Sequence, residues 1–205
     1  MKENCIKCHS IPSFAIKEIN PEATFDYPIS GLSITKDVAY YVLENISADN
    51  VQVVFNYVLW HPKTSRIIIE VHSPGGSLFD AYKIIGLMQH MMVRGYIIET
   101  RVYGFAASAG FLIAASGTKG NRFVSPTAEL MWHELMSFSL FSIDTPSDTE
   151  EKARVLRHLQ DTANNWLTIV SKLSISEIND KIRKREFWMN GKQAVGYGFA
   201  DAELK

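Results

Sequence analysis

The stretch Ile67-Ile68-Ile69-Glu70-Val71-His72-Ser73-Pro74-Gly75-Gly76-Ser77 decides the fold. Residues 67–71 are short, β-branched and nearly all apolar, as a strand covered on both faces should be. Pro-Gly-Gly then forces a turn. Beyond it Leu78, Ala81, Tyr82, Ile84, Ile85, Met88, Met91 and Met92 recur at helical spacing, with Leu87 at the edge of that face. Strand, tight turn and amphipathic helix make one βα unit.

The same grammar extends both ways. Upstream, Val38 to Leu43 is rich in strand formers. Val51, Val54, Phe55, Val58 and Leu59 follow at helical spacing, after a cap at Ser47 or Asp49. Downstream, residues 96–103 read as a strand and Ala107 to Ala115 as a small apolar helix. Asn121 to Val124 and Glu129 to His133 read as two more strands. Alternation of strand and helix implies an α/β fold with a parallel sheet and right-handed crossovers.

A capping box, Ser147-Asp148-Thr149-Glu150, opens a helix that runs to about residue 171. It would span roughly 35 Å, long enough to project from a domain of this size. Ser174 to Glu177 is a second box, and Asn190 caps a last short helix ending near Gly198. Residues 1–37, broken by Pro12, Pro21 and Pro28, read as an N-terminal arm; residues 38–205 read as a single domain.

Composition narrows the class. The chain has 205 residues, 46% hydrophobic and 21% charged, with a formal net charge of −1. That balance suggests no electrostatic footprint for nucleic acid or acidic lipid, which would need a basic face. No apolar run reaches the length of a membrane span, and the N-terminus shows no secretory pattern. The expectation is a cytoplasmic protein with no nucleic-acid or membrane partner. Cys5 and Cys8 are the two cysteines, so no disulfide framework is expected. With His9 they form CxxCH, a pattern used for haem attachment or zinc. Haem attachment normally needs export, and zinc needs further ligands. The pattern is read as an incidental feature of the arm, with no metal and no cofactor.

Three groups carry possible chemistry. The Pro-Gly-Gly turn follows a strand, and sites in such sheets form at the carboxyl ends of strands. Glycines there bring backbone N–H groups close to a ligand, and they are equally what a tight turn needs. Ser108, in Gly104-Phe105-Ala106-Ala107-Ser108-Ala109-Gly110, stands after a strand and at the start of a helix. It can serve as a nucleophile or as a helix cap. His133 ends a strand, as a general base or as an edge histidine. A Ser-His pair needs an acid, and Asp144, Asp161, Asp180, Glu186 and Asp201 all follow His133.

Ser73-Pro74-Gly75-Gly76, Ala106-Ala107-Ser108-Ala109-Gly110 and Met131-Trp132-His133 occur in the order and spacing of three motifs of the Clp protease proteolytic subunit. Asn121 to Pro126 and the tail Trp188 to Asp201 are similar to further motifs, so the resemblance covers about residues 38–201. It implies a crotonase/ClpP-like fold of repeated β-β-α units with a projecting handle helix. It further implies a serine endopeptidase with Ser108 as nucleophile, His133 as general base, and the N–H groups of Gly76 and Ala109 as oxyanion hole. The family's Asp aligns with Glu186, a departure, with Asp180 in reserve. The implied partners are self, in stacked heptameric rings, polypeptide substrates and an AAA+ unfoldase. Leu135 to Ile143 lacks the glycines that the family carries there, and the first 37 residues do not match its axial loops. A non-catalytic ring subunit, a crotonase-type acyl-CoA enzyme and a phage-type relative are the competing readings.

Overall fold

A computed structural model describes residues 30–35, 37–60, 63–136 and 145–204. Cys5, Cys8, His9 and most of the glycine-free segment after His133 lie outside these residues.

The larger sheet has six strands: β1 (Leu32–Ile34), β2 (Val38–Leu43), β3 (Arg66–Val71), β4 (Ile97–Val102), β6 (Arg122–Val124) and β9 (Ala202–Glu203). The edge strand β1 pairs antiparallel with β2; every other pair is parallel. Helices α1 (Ala48–Leu59) and α2 (Leu78–Val93) supply the crossovers from β2 to β3 and from β3 to β4. Rows of paired residues show how the sheet is held. Ala39, Ile67 and Ile98 form one row, and Leu43, Val71 and Val102 come from rows that point the same way. All are buried, with Val51, Val54, Ile84 and Met88 in the same core. The alternate rows are mixed: Glu70 accepts from Tyr40, and Glu99 pairs with Arg66 and Arg101. The expectation of a strand apolar on both faces therefore holds for Ile67, Ile68 and Ile69 but not for the whole sheet.

A second sheet was not expected. It contains β5 (Phe105–Ala107), β7 (Glu129–Trp132) and β8 (Phe187–Asn190), in the order β5-β7-β8. Ala107 belongs to β5, so α3 (Ala109–Ala115) starts two residues later than its composition implied. Part of the arm is also structured, because residues 32–34 form β1.

The long helix α4 (Pro146–Val170) starts at a different box from the one expected. Thr145 is the cap, its hydroxyl accepting from the Asp148 N–H while Asp148 returns a bond to the Thr145 N–H. Pro146 at the first helical position explains the choice, since its missing N–H costs nothing there. Only Ala163, Asn164 and Leu167 of α4 are buried, all in its last third. Helix α5 (Ile175–Ile182) has the expected Ser174/Glu177 box. Helix α6 (Gly191–Tyr197) has the expected Asn190 cap and ends on left-handed Gly198. No helix among the described residues is long and apolar enough to cross a membrane.

Candidate active site

Ser108 and His133 leave the same end of two adjacent parallel strands. In β5 and β7, Ala107 pairs with Met131, and the Ser108 N–H donates to the Met131 carbonyl at 2.9 Å. Ser108 is the residue after β5, and His133 is the residue after β7. Strand β8 runs antiparallel to β7, with Phe187 opposite Trp132. Glu186 directly precedes β8, as His133 directly follows β7.

The Pro-Gly-Gly turn reaches the same place. After β3 the chain runs beside β5: the Ser73 N–H donates to Phe105, and the Ala107 N–H donates to the Ser73 carbonyl at 2.9 Å. Gly75 then packs on Ser108. A Cβ at Gly75 would lie 2.7 Å from the Ser108 Cβ and 3.2 Å from its Oγ. Its φ of +110° is a second reason for glycine. The turn is therefore more than a connection, since its backbone walls the serine.

Ser108 has φ 53° and ψ −122°, a conformation that L-residues rarely adopt and that costs about 1–3 kcal/mol. It occupies the cap position of α3, yet its side chain makes no cap hydrogen bond. The reading of Ser108 as an ordinary helix cap thus loses its physical basis. The N–H groups of Gly76 and Ala109 have no acceptor among the described residues, which leaves both donors available.

The His133 Nδ1 lies 2.5 Å from the Glu134 carbonyl oxygen. A carbonyl only accepts, so Nδ1 carries the proton and the neutral ring keeps its lone pair on Nε2. Glu186 is exposed, and its Oε2 accepts from the Trp188 indole N–H at 2.8 Å. Among the described residues no hydrogen bond joins Ser108 to His133 or His133 to Glu186.

The other acids lie elsewhere. Asp161 is exposed on α4, Asp180 is exposed on α5, and Asp144 is outside the described residues. Asp201 is committed to structure: it accepts from Arg122 Nε and Nη2, and from the N–H groups of Gly120 and Arg122. Partial burial pushes its carboxyl up, but the Arg122 hydrogen bonds and charge outweigh that and hold it below the usual range. Sequence reasoning missed the parts played by Glu134, Trp188 and the Gly75 backbone; of these, only Gly75 carried a local signal. No group of His, Cys, Asp and Glu suited to a metal occurs among the described residues.

Residues 35–204 match the family model described as Clp protease. The ATP-dependent Clp protease proteolytic subunit of Streptococcus uberis is 36% identical over 146 residues, covering 69% of this chain and 70% of that protein. The same-named subunit of Streptococcus sanguinis is 32% identical over 140 residues, covering 67% and 68%. That of Streptococcus pyogenes serotype M1 is 34% identical over 143 residues, again covering 67% and 68%.

Proposed function

The chain belongs to the Clp protease family, and from that premise we propose that it is a serine endopeptidase acting through an acyl-enzyme. Ser108 is the nucleophile and His133 Nε2 takes its proton as Oγ attacks a peptide carbonyl. The Gly76 and Ala109 N–H groups receive the tetrahedral oxyanion, a contribution of about 3 kcal/mol for each donor. Protonated His133 then gives its proton to the leaving amine. Water, activated by the same imidazole, releases the acyl group. Glu186 is the third member, facing the imidazolium. No cofactor enters this chemistry.

The fold on this reading is the ClpP-like variant of the crotonase architecture, with α4 as the handle between stacked rings of the chain. The rings enclose the sites, and an ATP-driven unfoldase supplies protein substrates. One observation carries the proposal: a strained Ser108 walled by Gly75, whose hydroxyl and the neighbouring Gly76 and Ala109 N–H groups have no partner among the described residues. The test is a fluorophosphonate probe on the assembled protein. Labelling that is lost in Ser108→Ala and falls strongly in His133→Ala is the expected result; equal labelling of Ser108→Ala would overturn it.

The engagement of His133 Nδ1 with the Glu134 carbonyl favours one competing reading, a ring subunit without activity. That reading expects wild-type protein to assemble but to hydrolyse no peptide and take up no probe.

A further inference from the structure

We propose that Trp188 is a positioning residue that braces Glu186 against the strand carrying Ser108; the proposal rests on the reading of Glu186 as the third triad member. Glutamate has one more rotatable bond than aspartate, so an exposed Glu186 loses more rotamer freedom when held in one place. The structure holds its carboxylate by one hydrogen bond, from a donor that is itself held. The Trp188 indole N–H fixes Oε2 at 2.8 Å, leaving Oε1 to accept from His133 Nδ1 once that N–H turns from the Glu134 carbonyl. The Trp188 ring stacks on Phe105, with centroids 6.0 Å apart and planes at 24°. Phe105 lies in β5, three residues before Ser108, so the carboxylate is tied to the nucleophile's own strand across β7.

The backbone leading to Glu186 is fixed as well. Lys184 sits at φ 57°, and its N–H reaches Glu134 Oε2 at 3.4 Å, next to His133. Arg185 folds back over the end of α5, donating to the carbonyls of Asp180 and Lys181 at 2.8 and 3.0 Å. A carboxylate hydrogen-bonded through one oxygen and carried on a clamped backbone is pre-oriented before substrate arrives. Trp188 touches no reacting atom. Its effect passes through Glu186.

The test compares kcat and KM on a short fluorogenic peptide for the full chain in its assembled form. Five proteins are needed: wild type, Ser108→Ala, Trp188→Phe, Glu186→Gln and the Trp188→Phe/Glu186→Gln double variant. Phenylalanine keeps a stacking ring and removes the N–H. The expected result is a kcat roughly 5- to 10-fold lower in Trp188→Phe with KM within about twofold, in line with the loss of one hydrogen bond to a charged group. In the Glu186→Gln background the same change should alter kcat less than about twofold. If Trp188→Phe disrupts assembly, site-specific 3-benzothienylalanine at 188 keeps the ring's shape without the donor and should give the same result.

An unchanged kcat in both donor-free proteins overturns the proposal. So does an equal loss in both backgrounds, which would mean that the ring acts by packing alone. Full activity in Glu186→Gln, with none in Ser108→Ala, overturns the role of Glu186 and this proposal together. It leaves the serine mechanism standing.

Discussion

Trp132 donates its indole N–H to Asn164 Oδ1 at 2.8 Å in the interior, and so ties the strand that ends at His133 to the long helix α4. Asn164 is fully buried and is a hub: Gln160 donates to the same oxygen, and its own amide donates to Asn179 at 2.7 Å. The strand carrying the imidazole is therefore registered against two helices through one side chain. Buried polar groups are costly when unpaired, so this link is sensitive to single changes.

Asn164→Leu leaves the Trp132 N–H without its acceptor. We expect a loss of about 2–3 kcal/mol in urea unfolding. Peptide turnover should fall further than probe binding to the correctly folded fraction, because His133 loses its register. A variant as stable as wild type would show that the network contributes little.

Ser108→Gly and Ser108→Ala should both abolish turnover but differ in stability. Glycine relieves the backbone strain at φ 53° and should raise stability by about 1 kcal/mol relative to alanine. Denaturant unfolding of the two variants measures the difference directly. Alanine at least as stable as glycine would mean that this backbone carries no strain.

Gly75→Ala should lower kcat/KM by about 100-fold or more. The added methyl would meet the Ser108 Cβ at 2.7 Å and the Ala107 carbonyl at 3.0 Å, so the turn or the serine must move. Probe labelling rates report the same displacement. Gly86→Ala is the control, since nothing lies within 4 Å of a Cβ there.

Asp201→Asn should destabilise the protein by about 3 kcal/mol, because the buried Arg122 guanidinium loses its charge partner. The pH dependence has a fixed sign. The folded carboxyl titrates below its unfolded value, so the stabilisation is complete above about pH 4 and is lost as pH falls through the depressed folded value. Wild type should lose stability over that acid window more steeply than Asp201→Asn. Parallel acid curves would contradict this.

Much of the molecule was legible from periodicity and caps. The apolar stripe of α2, the β3 strand, the Ser174 and Asn190 caps and the Gly198 terminus are local signals, and all of them hold. The start of α4 was misplaced: the Ser147 box fits locally, but Thr145 is the cap and Pro146 opens the helix. The small sheet was not legible. Phe105-Ala106-Ala107 is three residues long and alanine-rich, so it carries little strand signal and Ala107 reads as the start of a helix. It becomes a strand because Met131 and Ser73 offer partners. Strand β8 likewise exists through its pairing with β7.

The sequence by itself determined the βα alternation and, through ordered motifs, the family, and it singled out Ser108 and His133 as candidates. Those features are written in neighbouring residues and in short fixed spacings. Tertiary structure decided what surrounds them: Gly75 against the serine, Glu134 on Nδ1, Trp188 on Glu186, and Asp201 withdrawn to Arg122. Two of these contacts, Gly75 with Ser108 and Asp201 with Arg122, join segments far apart in the chain. Such pairings depend on which strands meet across a sheet, and no local pattern of apolar and polar residues encodes that choice.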